Sequence, residues 1–300
     1  MRVNEGMAAR VVSVSNMKGG VGKTTVSVSL AHAFAQRGEK VLVVDLDAQA
    51  NASFWLCGHE ALTEAMDQSK TIDAYLEDAV VFGKPASLQA SIRPARAMGD
   101  RLFVIPASPN LRLVERELIV FLSRRQRNLL EVERVVSDLL EQQMAEWRAA
   151  YDVILFDTAP GISALTESAL RASDLVIVPT VPDFISNLGL LSFCRSVSWS
   201  HNDVANAARR TPWVLANKVK GTRHHQKMLQ QMREEAAKPE SEFRMFRIEA
   251  PNSADIEEGA ADLDAADGLA LSARDAAVFT ALAAEVAALT PRGAAGVSAA

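Results

Sequence analysis

The chain has 300 residues, of which 49% are hydrophobic and 23% charged. This globular composition can bury a sizeable core, in one large α/β domain or two small ones. The formal net charge is −5, and the only cysteines, Cys57 and Cys194, lie far apart with no C-x-x-C pair, which argues against a thiolate zinc site, an iron–sulfur site or a disulfide framework and points to a reducing cytoplasm.

The opening MRVNEGMAAR is too short and polar for a signal peptide, so residues 1–10 read as a flexible N-terminus. No run of about 18 apolar residues marks a membrane span. Apolar, β-rich runs follow at 11–15, 40–47, 101–108, 151–160, 174–180 and 212–218, and they suit strands buried on both faces of a parallel sheet. Helical patterns lie between them: Thr24 to Gln36, a long one from about 111 to 148 with a break near 124–127, and shorter ones at 163–171, 186–199, 222–237 and 271–289. The stretch from Cys57 to Gly99 has weaker periodicity and room for small helices. Strand alternating with helix predicts an α/β fold, a doubly wound, mostly parallel sheet with helices on both faces. No repeat or long linker interrupts it. The expected organisation is one domain over 11–290 with a disordered tail at 291–300.

Between the first strand and the first helix stands SNMKGGVGKTTVSVSLA, close to the phosphate-binding pattern G-x-x-x-x-G-K-[ST]. Met17 takes the place of the first glycine and a second lysine, Lys18, follows it. Gly19, Gly20 and Gly22 let the backbone turn its N–H groups, Val21's included, around phosphate oxygens. The helix that begins at Lys23, Thr24 and Thr25 points its positive end at the same anion. Lys23 should reach the β- and γ-phosphates and Thr24 should ligate Mg²⁺. Lys18 could add charge to its own nucleotide site or reach across to a neighbouring subunit, and spacing leaves both open.

Three carboxylates follow. VLVVDLDAQAN puts Asp45 and Asp47 at a strand's carboxyl end, where open α/β sheets bind ligands. Alternation separates their side chains, which leaves Asp47 to orient a water and Asp45 to support the Mg²⁺ shell and the loop. Asp157 ends the apolar run of YDVILFDTAPG, and a buried carboxylate there needs a partner such as a metal ion reached through water. The loop Thr158-Ala159-Pro160-Gly161 could sense the γ-phosphate and relax after hydrolysis. Asn217, in PWVLANKV, can pair with both a donor and an acceptor on an adenine edge.

Together KGGVGKTT (18–25), VVDLDAQAN (43–51), ILFDTAPG (154–161) and DLVIVPTVPD (174–183) resemble the deviant Walker A ATPases of the ParA/MinD family, most of all its ParA branch. The resemblance covers most of residues 10–260 and answers the question of the two lysines. It implies that Lys18 is the signature lysine that crosses an ATP sandwich dimer, with Lys23 and Thr24 the phosphate and magnesium residues in cis. It further implies that Asp47 is the acid linked to water activation and Asp157 the Walker B acid. One departure is Ala48, where the family usually has proline, and this bears on loop stiffness. The expected cofactors are ATP and Mg²⁺, and the expected activity is weak ATP hydrolysis stimulated by a ParB-like or other cargo-bound protein.

The charge pattern suggests the surface such a dimer rides on. From Val204 to Arg233 there is no acid, whereas Ile248 to Ala273 holds only acids. Arg209, Arg210, Lys220, Arg223, Lys227 and Arg233 are therefore the candidates for non-specific, salt-sensitive contact with double-stranded DNA. The alanine-rich last helix has almost no basic face and makes a poor membrane anchor. The expectation is a cytoplasmic, nucleoid-associated ATPase that dimerises with ATP and positions a plasmid, a chromosome origin or a protein assembly. A MinD-like, membrane-bound positioning ATPase is the alternative.

Overall fold

A computed structural model describes residues 9–123, 129–200, 211–253 and 271–291. The apolar runs become the centre of one eight-stranded sheet: β1 (Arg10–Val14), β2 (Val41–Leu46), β3 (Arg93–Pro94), β4 (Leu102–Ile105), β5 (Val153–Thr158), β6 (Leu175–Thr180), β7 (Trp213–Val219) and β8 (Arg244–Pro251). Their order is β3-β4-β2-β5-β1-β6-β7-β8. Every pairing is parallel except β3 with β4. Strands β1, β2, β5 and β6 are buried at every position. Helices on both faces are what such strands require.

Two strands were not foreseen. β3 is only two residues long. β8 reads RMFRIEAP, with half-exposed charges between its buried positions; it is an edge strand, so it lacks the continuous apolar run that marks its neighbours.

The helices are α1 (Lys23–Gln36), α2 (Asn51–Asp67), α3 (Ile72–Val80), α4 (Leu111–Ser123), α5 (Leu129–Ala150), α6 (Ala164–Ala172), α7 (Phe184–Ser200), α8 (Arg223–Ala236) and α9 (Ala273–Leu289). The break expected near 124–127 lies outside the described residues, with α4 and α5 on either side. The weakly periodic stretch from 57 to 99 holds the rest of α2, then α3 and a short 3₁₀ turn at Leu88–Ser91. Its periodicity is blurred because α2 kinks at Gly58, whose φ is 79°. The Arg96 guanidinium packs where a Cβ would stand, 2.2 Å away, so only glycine fits there.

Both cysteines are buried and free. Burial pushes the thiol of Cys57 up to about 11 and that of Cys194 higher still, which leaves both unreactive.

β1 is the strand on which the chain changes direction. The chain from β2 to β5 builds the sheet on one side of it and β6 to β8 build the other. Open sheets of this kind bind ligands at the carboxyl ends of the strands around such a crevice. The segment after β1 therefore leaves the sheet at its chemically most useful point.

Candidate phosphate-binding site

The loop from Ser15 to Gly22 is hung from β6. Ser15 N–H donates to the Ile177 carbonyl (3.0 Å), and the Asn16 amide donates to the Pro179 carbonyl (2.7 Å). Asn16 Oδ1 accepts from Lys18 N–H (3.0 Å), so the next turn of the loop is fixed as well. Gly20 and Gly22 take φ of 74° and 89°, the left-handed region that glycine enters without strain. Gly22 is the N-cap of α1, and no side chain caps that end. The first N–H groups of α1 are thus left for an external acceptor, which the helix dipole favours when it is anionic.

Lys23 is 6% exposed. Its ammonium donates to the Lys18 carbonyl across the loop (3.2 Å). Burial lowers its pKa, while the nearby Asp157 and Asp47 pull the other way. Thr24 and Thr25 are half-buried beside it in the first turn.

Asp157 is fully buried at the end of β5. Ser27 Oγ donates to its Oδ1 (2.8 Å), but Oδ2 has no partner. Asp45 is its direct register partner on β2. Burial, and next the charge of Asp45, raise the Asp157 pKa well above the usual carboxylate range, with Ser27 and Thr24 opposing. A buried carboxylate with an unpartnered oxygen beside a second carboxylate is a place where a cation lowers the energy. Among the described residues no group of three or more His, Cys, Asp or Glu side chains could hold a metal by itself. A metal here would thus depend on oxygens brought by the phosphate ligand, as magnesium sites commonly do.

Asp45 and Asp47 are separated as alternation requires, but Asp45 faces inward. Its Oδ2 accepts from Ser53 N–H (2.9 Å) and Ser53 Oγ–H (2.6 Å), and its Oδ1 from Asp47 N–H (3.0 Å). These three bonds tie α2 and the loop to Asp45, which supports its expected part in placing the loop. Asp47 is partly exposed, and its Oδ1 accepts from Gln49 N–H (3.0 Å). The Ala50 N–H to Asp47 carbonyl bond (2.9 Å) closes this turn, so hydrogen bonds do there what a proline at Ala48 would do by ring geometry.

Asn217 approaches the loop from β7, and its Nδ2 donates to the Val21 carbonyl (2.8 Å). The site predicted to read an adenine edge therefore also braces the phosphate loop. Pro160, in the loop after β5, stands against Gly19, with its Cγ 4.0 Å from where a Cβ would be.

Glu115 on α4 was not singled out by sequence. Burial raises its pKa, with the nearby Ser163 hydroxyl at the start of α6 opposing and the charge of Asp47 adding to the rise. Its setting, VERE on a charged helix, carries no motif that marks it.

Lys18 is in the opposite situation to Lys23. Its side chain is 41% exposed and its Nζ lies 3.8 Å from Asp183. Its chain neighbour Met17 and Phe184, next to Asp183, are exposed apolar side chains.

The predicted DNA residues divide. Lys220, Arg223 and Lys227 are exposed around the start of α8. Arg233 is tied to Glu249 (2.6 Å) and to the Arg247 carbonyl (3.3 Å) on β8, which reduces its part in the patch. Arg209 and Arg210 lie outside the described residues. No described helix is long and apolar enough to cross a membrane.

A strand–loop–helix phosphate cradle at the switch point of a mostly parallel sheet defines the class of P-loop nucleoside triphosphatases. A family model described as "AAA domain" matches residues 9–207. The sporulation initiation inhibitor protein Soj of Bacillus subtilis is 32% identical over 188 residues, 63% of this chain and 64% of Soj. The chromosome partitioning protein ParA of Caulobacter vibrioides is 34% identical over 188 residues, 63% of this chain and 62% of that one. This chain thus spans a little under two thirds of either relative. On these matches and this site, the chain belongs to the ParA family of P-loop ATPases. The fold is shared with a putative plasmid partition protein of Borrelia burgdorferi solved with AMPPNP (TM-score 0.66, 18% identity, 93% of this chain and 98% of that one). It is shared as closely with cobyrinic acid a,c-diamide synthase from Mycobacterium smegmatis, solved with an ATP analogue and magnesium (TM-score 0.66, 22% identity, 95% and 98%). Fold alone therefore does not choose between a positioning ATPase and a metabolic enzyme.

Proposed function

We propose that this chain is a partition-type ATPase that binds ATP with Mg²⁺, pairs with a second copy across the nucleotide, and in that state associates with DNA. The observation that carries the reading is the contrast between two lysines of one loop. Lys23 is buried and turned into its own loop, while Lys18 stands exposed on the rim. One serves the nucleotide in cis, and the other, on the rim beside Asp183, is placed to serve the site of a partner.

The N–H groups of Gly19 to Thr25 and the Lys23 ammonium hold the triphosphate. Thr24 and, through water, Asp157 would hold Mg²⁺, which would supply charge neutralisation on the phosphate oxygens. Asp45 keeps the Asp47 turn in place, and Asp47 orients the water that attacks the γ-phosphorus. The bond from that phosphorus to the ADP oxygen breaks as the new one forms. Asn217 keeps its amide carbonyl for an adenine edge while bracing Val21. Two triphosphates brought face to face repel, and a lysine from each copy offsets that charge. Dimerisation then needs ATP, and hydrolysis loosens it.

Lys220, Arg223 and Lys227 add their charge to the positive end of α8, where no acidic residue occupies the first turn. Bases there work against the helix dipole, and that cost is recovered when phosphates dock. Two copies double the phosphate contacts, so ATP switches on DNA association through avidity. A cargo-bound protein that stimulates hydrolysis would release the dimer and give a nucleoid-associated cycle. The test is DNA co-sedimentation with ADP and with a non-hydrolysable ATP analogue across a salt series. Binding should require the analogue and fall steeply with salt; equal binding with ADP would overturn the reading.

A further inference from the structure

Helix α4 has two apolar faces. Leu111, Val114, Leu118 and Leu122 are buried against the core, as an amphipathic helix requires. On the other side Leu113 and Val120, one heptad apart, are 60% and 47% exposed, and Ile119 is 43% exposed. Phe82, just past the end of α3, adds a ring that is 57% exposed. Scattered exposed apolar residues need no explanation, but Leu113 and Val120 share one side of the helix and line one cavity.

This face forms one wall of a groove. A cavity of about 400 Å³ is lined by Val81, Leu113, Val120 and Phe121, with Arg116 and Glu117 at its edge. A second cavity of about 250 Å³ shares Leu113 and Glu117 with it and continues toward α2 and α3. The second half is acidic. Asp73, Glu77 and Glu117 line it and no base does. The Asp73 carboxylate is taken by Ser108 N–H and Oγ–H (3.1 and 2.9 Å). Glu77 and Glu117, on facing helices, make no side-chain hydrogen bond or ion pair among the described residues. The nearby Lys84 is already held by Asp78 (2.7 Å).

We propose that this groove docks a segment of another protein that carries a basic side chain next to bulky apolar ones. The base sits between Glu77 and Glu117, and the apolar side chains cover Leu113, Val120 and Phe121. Charge argues against a second copy of this chain as the occupant, because a symmetric pairing would set these acids against each other. The groove lies between α3 and α4 and needs no nucleotide. It therefore stands or falls independently of the phosphate site.

The test uses the full chain and two synthetic helical peptides that differ only in charge, one of Arg and Leu and one of Glu and Leu at the same positions, read by fluorescence anisotropy. The Arg–Leu peptide should bind at least about tenfold more tightly than the Glu–Leu one. Glu77→Lys/Glu117→Lys should lose about tenfold, and so should Leu113→Ser/Val120→Ser. All four positions are on the surface, so circular dichroism should show an unchanged fold. Lys23→Ala, which the nucleotide reading expects to lose ATP, should bind the peptide normally. Equal binding of the two peptides, or no change in either double variant, overturns the proposal. So does a concentration-dependent dimer in sedimentation that Leu113→Ser/Val120→Ser abolishes, since that would give the face to a second copy.

Discussion

Gly22→Ala tests whether Asn217 and the phosphate loop act as one unit. The backbone at Gly22 has a φ of 89°, and holding alanine there costs about 1–2 kcal/mol. The new Cβ would also stand 2.4 Å from Asn217 Nδ2. Asn217 must then turn aside and lose its bond to the Val21 carbonyl, worth about 1 kcal/mol. The free protein can relax by letting the loop move, so the cost returns when ATP demands the loop's native shape. The sum, about 2–3 kcal/mol, predicts ATP binding weaker by roughly 30- to 150-fold. Asn217→Ala alone removes that hydrogen bond and, on the proposed role of its carbonyl, an adenine contact, so it should weaken binding by at least about fivefold. The double variant keeps the backbone strain but has no clash left and no bond left to lose. It should therefore bind about as Gly22→Ala does, a non-additivity of about 1 kcal/mol. Titration with a fluorescent ATP analogue and magnesium measures the cycle, and urea unfolding checks that each variant is folded. If the two effects multiply, or if Gly22→Ala binds within about threefold of the parent, the bracing role of Asn217 is wrong.

Four further outcomes follow from the same geometry. Lys23→Ala should abolish nucleotide binding, whereas Lys18→Ala should bind ATP normally yet fail to dimerise or join DNA; sedimentation with ATP and magnesium separates the two. Asp47→Ala should bind ATP but not turn it over, leaving dimers trapped on DNA in a co-sedimentation assay. Asp157→Asn removes a buried carboxyl that beside Asp45 can be neither ionised nor kept protonated without cost, and should stabilise the ligand-free protein by about 1–3 kcal/mol, while magnesium-dependent ATP binding falls; a lower melting temperature for the variant would contradict the account of the unpartnered oxygen. His32 is held neutral by burial, which depresses its pKa below 6.5. The unfolded chain then takes up the proton first, so stability is full above about pH 6.5 and declines as pH falls toward the folded pKa. His32→Gln should flatten that part of the pH–stability curve.

What was legible in the chain follows burial. Strands β1, β2, β5 and β6 are closed on both faces, so their sequences are uninterrupted apolar runs, and the phosphate loop sits where one such run ends. Strand β8 lies at the edge and alternates Arg244, Arg247 and Glu249 with its buried residues, so its signal is diluted. The side chains whose roles shifted had their partners in distant segments. Arg233 looked available for DNA until Glu249 on β8 appeared beside it. Glu115 gained its setting only from Ser163 and Asp47. Spacing along a chain carries no information on such pairs.

The Lys18–Asp183 pair bears on how a monomer avoids binding a partner too soon. At 3.8 Å and with both side chains at least about a third exposed, it contributes at most about 1 kcal/mol. That is too little to lock the lysine in place, but enough to hold it on its own subunit when nothing competes. A facing triphosphate offers several negative charges in a site that excludes water, where each interaction is stronger. In the proposed dimer the lysine would then change partners when a loaded second copy arrives. Such a lysine needs a weak resting contact, and the exposed rim of the loop provides one, whereas the interior position of Lys23 would not.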